Sequence, residues 1–240
     1  MDVIPAIDLL GRQAVRLKQG DYESVTDYGK PTELAARFAA EGARRIHVVD
    51  LDGALAGMIR PVVVAALVEA SAPALVQASG GVRSPADAQT LVRAGADRVV
   101  VGTAAWTALD EFVDALADRL VIALDVRDGF LWTRGWTEKS LALDEAIDRC
   151  IAARVPRLVC TAIDRDGTLA GPDSALVRHV VDRAALPVLA AGGIRSQADI
   201  DALEQAGAEG VIVGRAFLEG RIKAAFRGTS QGQSLGHDAE

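Results

Sequence analysis

The sequence predicts an α/β protein, a (β/α)8 (TIM) barrel, and three observations carry that prediction. Eight short β-branched runs alternate with longer helical patterns along the chain. The runs show no apolar–polar alternation, as expected of strands buried on both faces of a parallel sheet. The motifs at their C-terminal ends recur half a chain later, with a spacing close to 112 residues.

The strand candidates are 3–7 (VIPAI), 46–50 (IHVVD), 74–78 (ALVQA), 98–102 (RVVVG), 120–125 (LVIALD), 157–162 (RLVCTA), 187–191 (PVLAA) and 210–214 (GVIVG). Helix patterns lie between them, among them PTELAARFAAEG, SPADAQTLVRAG and SQADIDALEQAG. Ser84 and Ser196 stand where N-caps are needed, and Gly42, Gly95 and Gly207 where helices end. Strict alternation admits an open doubly wound sheet or a closed barrel, and the repeat decides. Gly80-Gly81-Val82-Arg83 returns as Gly192-Gly193-Ile194-Arg195 (192 − 80 = 112), and Val101-Gly102-Thr103-Ala104 as Val213-Gly214-Arg215-Ala216 (213 − 101 = 112). Asp50-Leu51-Asp52-Gly53 returns as Asp164-Arg165-Asp166-Gly167 (164 − 50 = 114), and Asp8 has Asp125 as counterpart (125 − 8 = 117). Matched strand ends four strands apart predict a barrel of two repeated halves, a single domain over residues 1–227. The polar, Gly/Ser-rich stretch 228–240 reads as a disordered tail.

The 240 residues suit one barrel of about 250. A net charge of −7 without any Lys/Arg run speaks against a nucleic-acid partner. No apolar stretch reaches the roughly 18 residues of a membrane span, and MDVIPAIDLL lacks the charged start of a signal peptide, so the expected place is the cytoplasm and no membrane partner is expected. Cys150 and Cys160 form no CxxC and read as reduced packing residues.

In such a barrel the active site lies at the C-terminal strand ends, where all the repeated motifs fall. Gly80, Gly81, Gly102 and Thr103 form one candidate phosphate cradle, and Gly192, Gly193, Gly214 and Arg215 the other. Glycine admits backbone N–H groups close to an anion, and a helix start adds partial positive charge. Two cradles across one barrel mouth call for an elongated small molecule with a phosphate at each end. Asp8, Asp50, Asp52, Asp125, Asp164 and Asp166 sit at or just beyond strand ends, where desolvation lifts a carboxyl toward working pKa values. Asp8 and Asp125 are the leading catalytic candidates, Asp166 the next. Asp50 and Asp164 are the ones most open to a purely local capping or pairing role. His47, His179 and His237 have no metal-ligand spacing, so no metal is assigned.

The segments PAIDLLGRQAVRLKQGDY, IHVVDLDGA, SGGVRS, ALDVRDG…RGW, TAIDRDGTLAGPD, LAAGGIRS and GVIVGRAFLEG resemble, in order over about residues 3–220, the phosphoribosylformimino-aminoimidazole carboxamide ribotide isomerases of histidine biosynthesis. The resemblance implies a cofactor-free (β/α)8 barrel performing an Amadori rearrangement, aminoaldose to aminoketose, on a bis-phosphorylated ribotide. It implies Asp8 as general base at C2 of the ribosyl ring and Asp125 or Asp166 as the acid that opens the ring. It further implies Thr161 hydrogen-bonding the sugar, Arg16 closing over substrate, and Trp136 stacking on the heterocycle. Two positions depart from the monofunctional pattern: Ser79 replaces a third glycine, and Arg134 precedes Gly135-Trp136. Both resemble a bifunctional branch that also isomerises phosphoribosyl anthranilate, with Arg134 able to pair with a carboxylate. The sister cyclase normally has C-L-D-V in the first strand, against P-A-I-D here, and a non-catalytic phosphate-binding barrel could have lost its aspartates, all present here. A complete barrel predicts a monomer.

Overall fold

A computed structural model describes residues 1–18 and 20–222; the expected tail at 228–240 and the last barrel residues, 223–227, lie outside the described residues. Eight parallel strands close on themselves. They are β1 (Asp2–Leu10), β2 (Arg45–Asp50), β3 (Leu75–Ser79), β4 (Arg98–Val101), β5 (Leu120–Arg127), β6 (Leu158–Ala162), β7 (Val188–Ala191) and β8 (Gly210–Val213). Each pairs with the next, and β8 returns to β1 through Asp2 opposite Gly210. Every run read as a strand is one of these eight.

The missing alternation has its reason in the packing. Outward residues such as Ile7, Ile46, Val76, Ile122 and Leu158 lie under the helices, while Ile4, Ala6, Val100, Val121, Val159, Leu189 and Ile212 fill the barrel interior. Each large one contributes about 1.5–3 kcal/mol by leaving water. Cys160 and Cys150 are buried free thiols whose pKa burial pushes up, so both pack as small apolar groups.

The helix Pro85–Arg93 opens on Ser84, which accepts from the Asp87 N–H while Asp87 answers the Ser84 N–H, a capping box. The helix Gln197–Gln205 opens on Ser196, which accepts from the Asp199 N–H, while the Asp199 carboxylate accepts from the Arg195 N–H instead. Gly42, Gly95 and Gly207 each follow the capping residue that ends their helix. At the opposite end of the barrel Arg45 pairs with Asp2 and Asp97, and Arg157 holds Glu209 through two hydrogen bonds, closing the floor with charge.

Two antiparallel hairpins at the C-terminal end were not foreseen. The first pairs Gln13–Lys18 with Asp21–Asp27 and continues from β1; the second pairs Phe130–Thr133 with Glu138–Ala142 and continues from β5. Among the described residues, no helix is long and apolar enough to cross a membrane.

Candidate active site

The inward face of each strand delivers its last residues to one cleft of about 290 Å³ at the C-terminal end of the barrel. Asp8 from β1, Ser79 from β3, Asp125 from β5 and Thr161 from β6 all line it, with Gly80, Gly81, Gly102 and Thr103 at one side. A second, smaller pocket of about 20 Å³ holds Gly192, Gly193 and Arg215. Arg16, Asp166, Ile212 and Gly214 line both and form the wall between them.

The first hairpin carries Arg16 into the site. Its guanidinium donates from Nη1 to Asp8 Oδ2 at 2.8 Å and from Nη2 to Asp166 Oδ1 at 2.5 Å. Burial lifts the Asp8 pKa above its ordinary value; Arg16 pulls against that lift and Asp166 adds to it. The two carboxylates together raise the pKa of Arg16 against the effect of its own burial. Asp8 is thus a desolvated carboxylate whose charge is held by one cation, a setting for a base stronger than an exposed aspartate.

Asp125 has a different shell. Burial raises its pKa most, the Trp136 and Thr161 side chains donate to it and lower it, and Asp166 raises it further. Thr161 and Asp125 are register partners across β5 and β6, which makes that contact a consequence of strand pairing. Trp136 comes from the second hairpin with a left-handed backbone, φ +66°, a conformation that costs a bulky residue and clusters at functional sites. Its ring also lies against Gly20 of the first hairpin, where a Cβ would come within 3.1 Å of it. The two hairpins therefore meet over the cleft.

At the first cradle, Gly80 has φ +101°, and a Cβ there would fall 2.2 Å from the Asp50 carbonyl oxygen; at the second, Gly192 has φ +98° and its Cβ would fall 2.7 Å from the Ala162 carbonyl. Both glycines are obligatory for the turn. Thr103 accepts from the Arg134 backbone N–H at 2.9 Å, tying the second hairpin to the first cradle. The Arg134 side chain lines the cleft and pairs with Glu138 at 3.2 Å, both exposed. Arg215 donates to Glu219 and to the Gly167 carbonyl, so its side chain braces the loop carrying Asp166.

The remaining aspartates separate by role. Asp50 is sealed by Arg60, which donates from Nε and Nη2, and by the Gly53 N–H. Asp52 accepts from the Gly11 N–H at 2.7 Å and pairs with Arg60. Asp164 pairs with Arg127 at 2.7 Å. Asp50 and Asp164 thus have the local pairing that the sequence left open, and Asp52 shares it. Sequence reasoning missed His47, Arg83, Trp106 and Trp132 as cleft residues. All three tryptophans of the chain line this one cleft, and that scarcity was the signal available.

A family model described as "Histidine biosynthesis protein" matches residues 2–223. The chain belongs to the histidine biosynthesis protein family. Three curated members are named 1-(5-phosphoribosyl)-5-((5-phosphoribosylamino)methylideneamino) imidazole-4-carboxamide isomerase. That of Synechococcus sp. (strain CC9311) is 42% identical over 231 residues, covering 92% of this chain and 90% of the relative. That of Synechococcus sp. (strain CC9605) is 44% identical over 237 residues, with 94% and 91% covered. That of Thermomicrobium roseum is 41% identical over 231 residues, with 93% and 94% covered. Within this histidine biosynthesis family, the barrel with its two glycine cradles and buried aspartates is the setting in which a chemical role has to be assigned.

Proposed function

We propose that this protein is the isomerase its relatives are named for, converting the aminoaldose form of the bis-phosphorylated ribotide to the aminoketose in histidine biosynthesis. The observation that carries the reading is the pair of desolvated carboxyls, Asp8 buried and Asp125 half-buried, both raised in pKa, in one cleft flanked by two glycine cradles. Gly80, Gly81, Gly102 and Thr103 would hold one phosphate and Gly192, Gly193, Gly214 and Arg215 the other, fixing the ribosyl ring between the aspartates. The side chains that donate to Asp125 are the neutral Trp136 and Thr161, and the Asp166 carboxylate nearby raises its pKa further, whereas Asp166 itself pairs with the Arg16 cation. Burial raises the Asp125 pKa, and Asp125 is assigned as the general acid at the ring oxygen. Asp8 then takes the proton from C2, and Arg16, braced by Asp166, keeps Asp8 ionised for that step. The hairpins bearing Arg16 and Trp136 exclude water from the open-chain intermediate.

A second substrate, phosphoribosyl anthranilate, is favoured by one observation: Arg134 lines the cleft and, among the described residues, has the exposed Glu138 as its one ion-pair partner. Its guanidinium is available to an anthranilate carboxylate by exchange. Ser79 lines the same cleft and supplies a hydroxyl. The protein is read as a cytoplasmic monomer, checked by light scattering. Steady-state turnover on both ribotides in parallel tests the function. Turnover of the histidine-pathway substrate alone leaves Arg134 and Ser79 incidental, turnover of both makes the enzyme bifunctional, and turnover of neither sinks the reading.

A further inference from the structure

His47 puts a polar ring on a cleft floor that is otherwise apolar. The cleft floor around it is Ala6, Val100, Ala123, Val159, Ala191 and Ile212. His47 stands among them on the inward face of β2, opposite Ala6 of β1 and Gln77 of β3. Asp8 is the next inward residue beyond Ala6, so the imidazole lies one layer, roughly 7 Å along the strand, below the proposed base.

Gln77 sets the state of this ring. It is fully buried, and its amide nitrogen lies 3.0 Å from His47 Nδ1. An amide NH2 only donates, so Nδ1 accepts and the ring proton sits on Nε2. Among the described residues Nε2 has no hydrogen-bond partner, and His47 lines the cleft. Gln77 Oε1 is left buried without a partner, a cost that packing alone does not explain. Burial, with help from Arg16, lowers the His47 pKa to about 4, so the ring is uncharged at neutral pH.

We propose that His47 is a hydrogen-bond donor to the substrate: its Nε2–H, aimed by Gln77, hydrogen-bonds the substrate oxygen beside the carbon that Asp8 deprotonates. The proposal rests on the isomerase reading. His47 transfers no proton. When Asp8 takes the C2 proton, the electron pair moves to the C1–nitrogen Schiff base. The His47 N–H stays intact and holds the C2 hydroxyl oxygen, stabilising it as that hydroxyl then loses its own proton and becomes the ketone carbonyl while C1 is protonated. A charged imidazolium would compete with Arg16 for Asp8 and weaken the base. Gln77 is a positioning residue, acting through the ring.

The test joins spectroscopy to kinetics. Long-range 1H–15N spectra of the labelled free enzyme at pH 7, with His47→Asn identifying its signals among three histidines, should show the Nε2–H tautomer. Gln77→Leu should give a mixture of tautomers and a kcat about 10-fold lower, with KM nearly unchanged. His47→Leu should lower kcat on the order of 10²-fold, and His47→Asn, which keeps an N–H donor, should recover part of that loss. If His47→Leu does not fold by thermal melting, the asparagine variant and the wild-type spectrum decide. An Nδ1–H tautomer in the wild type, or wild-type kcat in His47→Leu, overturns the proposal. Wild-type turnover is measured alongside: an inactive wild type counts against the isomerase reading, whereas an active one with an indifferent His47 counts against this inference alone.

Discussion

The loops after β2 and β6 begin with nearly the same words, Asp-Leu-Asp-Gly at 50–53 and Asp-Arg-Asp-Gly at 164–167, and use them for opposite ends. In the first, Arg60 gathers both carboxylates: it holds Asp50 through two nitrogens and pairs with Asp52, which also accepts from Gly11. In the second, Pro172, Asp173 and Ser174 occupy the stretch at the Arg60 spacing, and no arginine stands there. Asp166 instead meets Arg16, which reaches it from 150 residues away and holds Asp8 with its other nitrogen. One local cation decides whether an aspartate at a strand end serves the loop or the cleft.

Exchanging the two second aspartates is the strongest way to break this comparison. Asp166→Asn should lower kcat by at least roughly 10² while leaving the melting temperature nearly unchanged. Asp52→Asn should do the reverse, costing about 1 kcal/mol in urea unfolding and only a few-fold in kcat. Equal kinetic losses would erase the distinction. The cradles offer the next contrast. Gly80→Ala, whose Cβ would fall 2.2 Å from the Asp50 carbonyl oxygen, should cost about 3 kcal/mol, and Gly192→Ala, whose Cβ would clash less severely at 2.7 Å from the Ala162 carbonyl oxygen, about 2 kcal/mol.

The pH dependence sharpens the pairing of Asp8 with Asp125. Under the proposed mechanism Asp8 works ionised and Asp125 protonated, and the raised pKa of Asp8 is then expected to make turnover fail on acidification before ordinary carboxylates protonate. Asp125 must carry a proton, so turnover also fails as pH climbs through its raised pKa, and Asp125→Asn should abolish that alkaline limb with most of the activity. Both groups bind protons more tightly folded than unfolded. Their contribution to stability is therefore complete below the unfolded pKa and lost as pH rises through the folded one. At neutral pH Asp125→Asn should accordingly raise the melting temperature, read by calorimetry. The smallest effect expected is that of Thr103→Val, which frees the Arg134 N–H. Loss of one such bond, about 1 kcal/mol, should raise KM roughly five-fold with kcat little changed.

The barrel itself was legible because burial on two faces leaves a mark in composition: LVIALD and GVIVG can hardly be anything but interior strands. The hairpins were not, since QAVRLK and DYESVTD mix charged, polar and β-branched residues without an apolar run or a clean alternation. Asp8, Asp125 and Thr161 were legible as a group because strand ends converge by topology. What escaped was every contact made across the sequence by a long side chain. The bridge from Arg16 to Asp166, the capture of Asp52 by Arg60, and the reach of Trp136 to Asp125 depend on loop paths that no periodicity encodes. His47 escaped for another reason, because a histidine inside an apolar strand looks the same whether it is sealed or open to a cleft.

The central claim, that two phosphate cradles present a ribotide to an aspartate base, is tested most directly by comparing wild type with Asp8→Asn in steady-state turnover and in calorimetric binding of the same ribotide. The account predicts that both bind the substrate comparably, that the wild type turns it over, and that the variant loses on the order of 10²–10⁴ in kcat. A variant as fast as the wild type, or a wild type that binds and does not turn over, would contradict it.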